Sequence, residues 1–99
     1  MNNEHDQEFE WDVNKAEANL RKHGIAFEAA RRVFKDCFAV ETPDTDLSYG
    51  EARFLITGMI DGRLLRVVFT ERNGRIRIIS ARKATRHEQK EYYRSQAGE

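Results

Sequence analysis

The sequence predicts an α+β fold in which N-terminal helices pack on an antiparallel sheet of three to four strands, followed by a C-terminal helix. Three observations carry this. Asn73-Gly74 joins two β-branched runs, 64–70 and 76–81, and Asn-Gly is the strongest short-range hairpin signal because both residues accept the positive φ of a type I′ turn. Asp61-Gly62 repeats the device between apolar runs at 52–60 and 64–70. Apolar residues at helical spacing, each set introduced or ended by capping residues, mark segments before and after these strands. A meander with helices gathered at its two ends reads as α+β rather than alternating β/α.

Taken in order, residues 1–8 lack apolar periodicity and are expected to be a disordered terminus, with the domain spanning 9–99. Phe9-Glu10-Trp11 suits a short strand. Asp12 is placed to cap a helix over 13–22, with Val13, Ala16 and Leu20 as its apolar face and Gly24 ending it in the αL conformation. Lys22 and His23 fall in its last turn, where positive charge complements the helix dipole. A second short helix follows over 27–34, and Cys37 to Thr42 reads as a strand with Cys37 as a core or strand residue. Pro43 to Gly50 reads as a turn-rich loop of the kind that often carries function. After the two hairpins, Thr85 and Glu88 have capping-box spacing, which starts a last helix in which Tyr92 packs and Tyr93 is more exposed.

Ninety-nine residues suit one domain with one core. No apolar run is long enough for a signal peptide or a membrane span, and a single cysteine fits a reducing compartment, so the expected location is the cytoplasm. The net charge of zero hides an asymmetry: residues 1–60 hold 7 Lys/Arg against 12 Asp/Glu, while residues 61–99 hold 10 against 5. Between Arg63 and Arg86 there are eight basic residues and one acid, a field that attracts phosphate or an acidic partner.

Pairing the opening hairpin through a two-residue turn sets Arg72 against Arg75, Thr70 against Arg77, Val68 against Ile79, Arg66 against Ala81 and, on the other side, Phe69 against Ile78 and Val67 against Ser80. One side is then mostly apolar and the other carries Arg66, Arg72, Arg75 and Arg77. Like charges directly opposite one another are destabilising, which calls for an anionic partner. The same scheme sets Arg82 across from Leu65, on the apolar side.

The sequence has no Gly-rich phosphate loop, no Cys/His quartet, no His-Glu-x-x-His and no Gly-x-Ser-x-Gly, so nucleotide hydrolysis, structural zinc and serine hydrolysis have no support, and neither a metal nor a cofactor is expected. What remains is arginine, whose planar guanidinium suits bidentate phosphate contact, although alternate arginines also simply decorate wet sheet faces. His23 and Glu51 are the candidates for proton transfer, with a helix-end interaction and a salt bridge to Arg53 as their respective structural readings. Tyr49 suits either stacking on a base or covering an apolar edge.

Phe9-Glu-Trp-Asp12, Lys15, Asn19, Lys22-His-Gly24, Phe27-Glu-Ala-Ala30 and Val33-Phe34, followed by Tyr49-Gly-Glu-Ala-Arg53, Ile56 with Gly58, Val67-Val-Phe-Thr-Glu-Arg72 and Arg77-Ile-Ile-Ser-Ala-Arg-Lys-Ala84, together resemble the signature of the BrnT family of bacterial type II toxins. The resemblance spans roughly residues 9–93 in order. It implies a RelE-like fold and a metal-independent endoribonuclease that inhibits translation. It further implies neutralisation by a BrnA-like ribbon-helix-helix antitoxin, through which alone operator DNA would be bound. In such enzymes basic side chains position the scissile phosphate and stabilise the charged transition state while the 2′-hydroxyl attacks. Carried over by motif, the catalytic candidates are His23, Glu51, Arg72, Arg77 and Arg82, and the substrate-binding candidates are Lys22, Tyr49, Arg53 and Lys83. Ala26 departs from the pattern, standing where many relatives have a serine able to cap the second helix. Two other readings stay open: a non-catalytic nucleic-acid- or partner-binding module using the same arginines, and a degenerate toxin that serves as antitoxin scaffold.

Overall fold

The protein's structure, a computed structural model, describes residues 8–98; the segment 1–7 of the expected disordered terminus lies outside them. The chain runs β1 (Phe9–Glu10), α1 (Val13–His23), α2 (Phe27–Ala30) continuing as a 3₁₀ turn (Arg31–Lys35), β2 (Val40–Asp44), a 3₁₀ turn (Leu47–Tyr49), β3 (Arg53–Ile60), β4 (Arg63–Arg72), β5 (Arg75–Lys83) and α3 (Arg86–Gln96). The α+β class holds, but the sheet has five strands and is mixed, in the order β1-β5-β4-β3-β2. The added strand is β1, which pairs parallel to β5 at Phe9↔Ile76 and Glu10↔Arg77. A parallel neighbour distant in sequence leaves no hairpin signal, so its pairing is invisible in the local pattern.

Both hairpin turns form as their residues predict, with positive φ at Asp61 (50°), Gly62 (81°), Asn73 (55°) and Gly74 (77°). Asp12 caps α1 by accepting from the Asn14 and Lys15 N–H groups, and Gly24 closes it at φ 72°. The capping box at Thr85 and Glu88 forms, and Ala26 gives α2 no side-chain cap. Two local readings are corrected. Cys37 is exposed, in the turn before β2. That turn is built by Asp36, whose carboxylate accepts the Phe38 N–H at 2.9 Å. The strand therefore starts later and runs through Pro43, which an edge position tolerates because no ladder bond is needed on its outer side.

The main core lies between the sheet and α1–α2. Ile25, Phe27, Val33, Leu65, Val67, Phe69 and Ile78 are essentially inaccessible, each burial stabilising by about 1.5–3 kcal/mol. Gly58 is required on this face, since a Cβ there would stand 3.1 Å from both the Cβ and the carbonyl of Val33. The buried side of α1 is not the expected one: Val13 and Leu20 are 66% and 50% exposed, and Asn19 is buried. Its amide donates to the Ile25 and Ala81 carbonyls, both at 2.9 Å, and accepts the Ala81 N–H at 3.1 Å. The edge of β5 that β1 is too short to cover is thus completed by one side chain.

Helix α3 packs on the other face. Leu64, which alternates with Leu65 and so points away from the main core, forms a second cluster with Ala84 and Tyr92, flanked by Val40 and Met59. The Tyr92 hydroxyl donates to Asp36 at 2.6 Å, and the same oxygen accepts the Met59 N–H at 2.8 Å; burial, and then this bond, push the Tyr92 hydroxyl up to about 12. Because α3 anchors only around Leu64 and Met59, the rest of this face is left open.

Candidate functional site

The open face is where the arginines collect. In antiparallel strands directly opposed residues share a face, and the observed register sets Thr57, Arg66 and Arg82 in one row, Leu55, Val68 and Ser80 in the next, and Thr70 with Arg77 in a third. This differs from the even-paced pairing expected beyond Phe69↔Ile78. A bulge between Val68 and Phe69 on the β4–β5 ladder leaves Ile79 unpaired, so Val68 meets Ser80, Val67 meets Ala81, Arg66 meets Arg82 and Leu65 meets Lys83. One extra residue switches every later side chain to the other face. Arg82 is thereby moved from the apolar side, where the two-residue turn had placed it, to a position beside Arg66.

The arginines form two groups. At the α3 end, Arg82 makes a bidentate pair with Glu88, Nη1 to Oε1 and Nη2 to Oε2, both 2.9 Å. The Arg66 Nε lies 3.6 Å from the same Oε2, while its Nη1 donates to the Thr57 hydroxyl at 3.3 Å. Glu88 Oε1 also accepts the Thr85 N–H at 2.9 Å. These bonds, that from Arg82 foremost, outweigh the opposing effect of burial and hold the Glu88 carboxyl down at about 2.

At the hairpin end, Glu51 lies between Arg53 Nε (3.3 Å) and Arg72 Nη2 (3.4 Å). The Arg53 guanidinium stacks 3.7 Å above the Tyr49 ring. Arg77 donates to Glu10 at 3.1 Å, and the Thr70 hydroxyl to the Ala52 carbonyl at 2.6 Å. Both contacts of Glu51 are long beside the 2.7–2.9 Å usual for charge-assisted bonds, whereas Glu88 has three at 2.9 Å, two from Arg82 and one from the Thr85 N–H, so Glu51 is the less constrained carboxylate. Four residues of β4 separate the Arg66 row from the Thr70 row, roughly 13 Å at 3.4 Å per residue.

The anionic partner called for by the Arg72–Arg75 pair is supplied inside the chain, by Glu51 for Arg72 and by Glu8 (3.0 Å) and Glu10 (3.9 Å) for Arg75. Of the residues singled out from the sequence, Tyr49, Glu51, Arg53, Arg72, Arg77 and Arg82 share this face. Lys22, His23 and Lys83 do not join them. His23 lies one helical turn beyond Asn19, on the far side of β5, and its ring is exposed. Glu51 precedes β3, two strands across and toward the opposite strand end, a separation of about 10 Å across and about 15 Å along. Lys83 is exposed on the register position opposite Leu65.

The sequence places Arg66 on the basic side but not among the site candidates, and Glu88 is not a site candidate there at all. The break in alternation after Ile78, from Ile76 and Ile78 to Ala81, marks the bulge that brings them in. Glu88 had been given capping duty alone. Among the described residues no three His, Cys, Asp or Glu side chains gather as a metal site needs, and no helix is long and apolar enough to cross a membrane.

A basic sheet face of this kind suits a polyanion. A model of the family described as "Ribonuclease toxin, BrnT, of type II toxin-antitoxin system" matches residues 11–88. The chain belongs to the BrnT family. The match covers β1's exit through the first turn of α3, and so takes in every arginine of the open face. Membership in a BrnT ribonuclease toxin family implies an RNA target and an antitoxin partner. No curated protein matches the chain.

Proposed function

We propose that the protein is a metal-independent endoribonuclease that inhibits translation by cutting RNA on its open sheet face. In this reading it is held inactive by a BrnA-like ribbon-helix-helix antitoxin, which alone carries the link to operator DNA. The observation that carries the proposal is the collection of Arg53, Arg66, Arg72, Arg77 and Arg82 on one uncovered face of a chain whose family acts as ribonuclease toxins. Fixed guanidinium groups in a pre-built site stabilise charge as it develops on a phosphate and need no further reorganisation. They also supply what a bound cation would otherwise supply.

Arg72 and Arg77, beside Glu51, contact the scissile phosphate and its transition state, Arg82 at the α3 end contacts a further phosphate of the same strand, and Arg53 with Tyr49 positions the nucleotide. Glu51 accepts the proton of the attacking 2′-hydroxyl; its place between Arg53 and Arg72, with loose contacts to both, supports it over His23, which lies off this face. Lys22, His23 and Lys83 then extend the basic surface for flanking RNA. The observation that favours a binding-only module is that each arginine of the Glu51 and Glu88 groups already has a carboxylate partner.

Purified protein incubated with RNA in EDTA decides between the two. Cleavage leaving a 2′,3′-cyclic phosphate, abolished by a 2′-deoxy substitution at the cut site and by Glu51→Gln but not by His23→Ala, is expected. Intact RNA bound by a folded protein would establish the binding-only module.

A further inference from the structure

We infer that Arg66 and Arg82 act together as one clamp on a phosphate of the RNA next to the cut, and that Glu88 is the positioning residue that sets it. The inference rests on the ribonuclease reading and adds to it a residue pair that neither hairpin arithmetic nor capping rules assign. Two arginines directly across an antiparallel pair repel, and without a shared anion their long side chains would diverge. Glu88 removes that repulsion from below: its side chain is 13% exposed and that of Arg66 16%, against 40% for Arg82, so Glu88 and Arg66 form the floor and the Arg82 guanidinium the surface.

The remaining donors point to the ligand. A guanidinium has five N–H groups in a fixed fork. Arg82 gives two of them to Glu88 and one, from Nη1, to the Lys83 carbonyl at 3.1 Å. Its Nε–H and second Nη2–H are left on one edge, the geometry that takes a phosphate in bidentate fashion. Arg66 commits one Nη1 hydrogen to Thr57 and faces Glu88 through Nε, leaving its Nη2 hydrogens free. Two guanidiniums and one carboxylate sum to one positive charge, which a single phosphodiester neutralises. Glu88 has both oxygens occupied and stays ionised far below neutrality, so it takes no part in proton transfer and acts only through the arginines.

The test compares Glu88→Gln, Arg66→Ala and Tyr92→Phe with the wild type in RNA cleavage, each normalised to folded protein. Glutamine can serve in a capping box, so Glu88→Gln removes the charge and keeps the helix start. It should lower kcat about 10- to 100-fold with KM nearly unchanged, as expected of a displaced catalytic group, and Arg66→Ala should do at least as much. Tyr92→Phe loses the α3 bond to Asp36, away from the clamp, and roughly 5 °C of Tm, but should keep the wild-type kcat.

Wild-type kcat in Glu88→Gln overturns the inference, as does an equal loss in Tyr92→Phe, which would make the effect one of helix stability. If the wild type itself leaves RNA intact, the ribonuclease reading falls and the clamp is judged by binding alone. Arg66→Ala and Arg82→Ala should then each reduce the slope of log K against log salt by about one for a 2′-deoxy strand, and unchanged slopes overturn it.

Discussion

Asn19→Ala should be among the most damaging single changes in this protein, although it removes only three heavy atoms, the carboxamide Cγ, Oδ1 and Nδ2. At Ala81 the backbone N–H and C=O of β5 point away from β4 toward a sheet edge that β1 does not reach. The Asn19 amide satisfies both, and the Ile25 carbonyl as well. Truncation strands three backbone groups at a position that is 7% exposed. Each unsatisfied buried group costs about 1–3 kcal/mol; with some water reaching the opened edge, a total of about 3–4 kcal/mol is expected. Against the roughly 5–10 kcal/mol typical of a small domain, that is a third or more of the stability, and a Tm lower by about 15–25 °C.

Urea unfolding followed by circular dichroism should show a lower midpoint at unchanged m. Asn19→Asp sharpens the test. It keeps an acceptor for the Ala81 N–H but turns oxygen toward two carbonyls that now receive N–H groups, so at neutral pH it should be worse than alanine. Its carboxyl, raised in the folded state, would recover stability as pH falls and it protonates. A loss below about 1 kcal/mol for Asn19→Ala would refute the idea that this amide completes the sheet edge.

Three further outcomes follow from the same geometry. Gly58→Ala places a methyl group 3.1 Å from Val33 and should cost about 1–3 kcal/mol by overpacking, measurable by the same unfolding curves. Glu88 sits at about 2 when folded, below its ordinary value of 4.5; a depressed carboxyl contributes stability that is complete above about pH 4.5 and is lost as pH falls toward 2, so the acid limb of a stability–pH curve should lose on the order of 1–2 kcal/mol in the wild type and less in Glu88→Gln. Arg72→Ala removes a half-exposed side chain with one long contact to Glu51, so Tm should move by only a degree or two, while RNA cleavage falls by at least tenfold; a large Tm loss would assign Arg72 to the fold instead.

Most of what is written in short-range chemistry was legible in the chain alone, the Asp36 turn before β2 excepted. Asn73-Gly74 and Asp61-Gly62 set two hairpins because few other residues take positive φ cheaply. Asp12, Gly24 and the Thr85–Glu88 box set helix ends because they satisfy amides and carbonyls within four residues. The same locality made the arginine-rich strands and the BrnT signature readable. What the tertiary structure decided depended on pairings between distant residues. Strand β1 joins the sheet in parallel to β5, Asn19 rather than Leu20 turns inward because Ala81 needs its amide, and α3 covers only one end of the face opposite the main core, which leaves the rest of that face, with its arginines, open. Above all, one unpaired residue at Ile79 carries Arg82 across the sheet to Arg66 and Glu88. A side-chain period of two makes any such slip change the face of everything after it, so the hairpin's composition announced a basic site while its three-dimensional pairing chose the members.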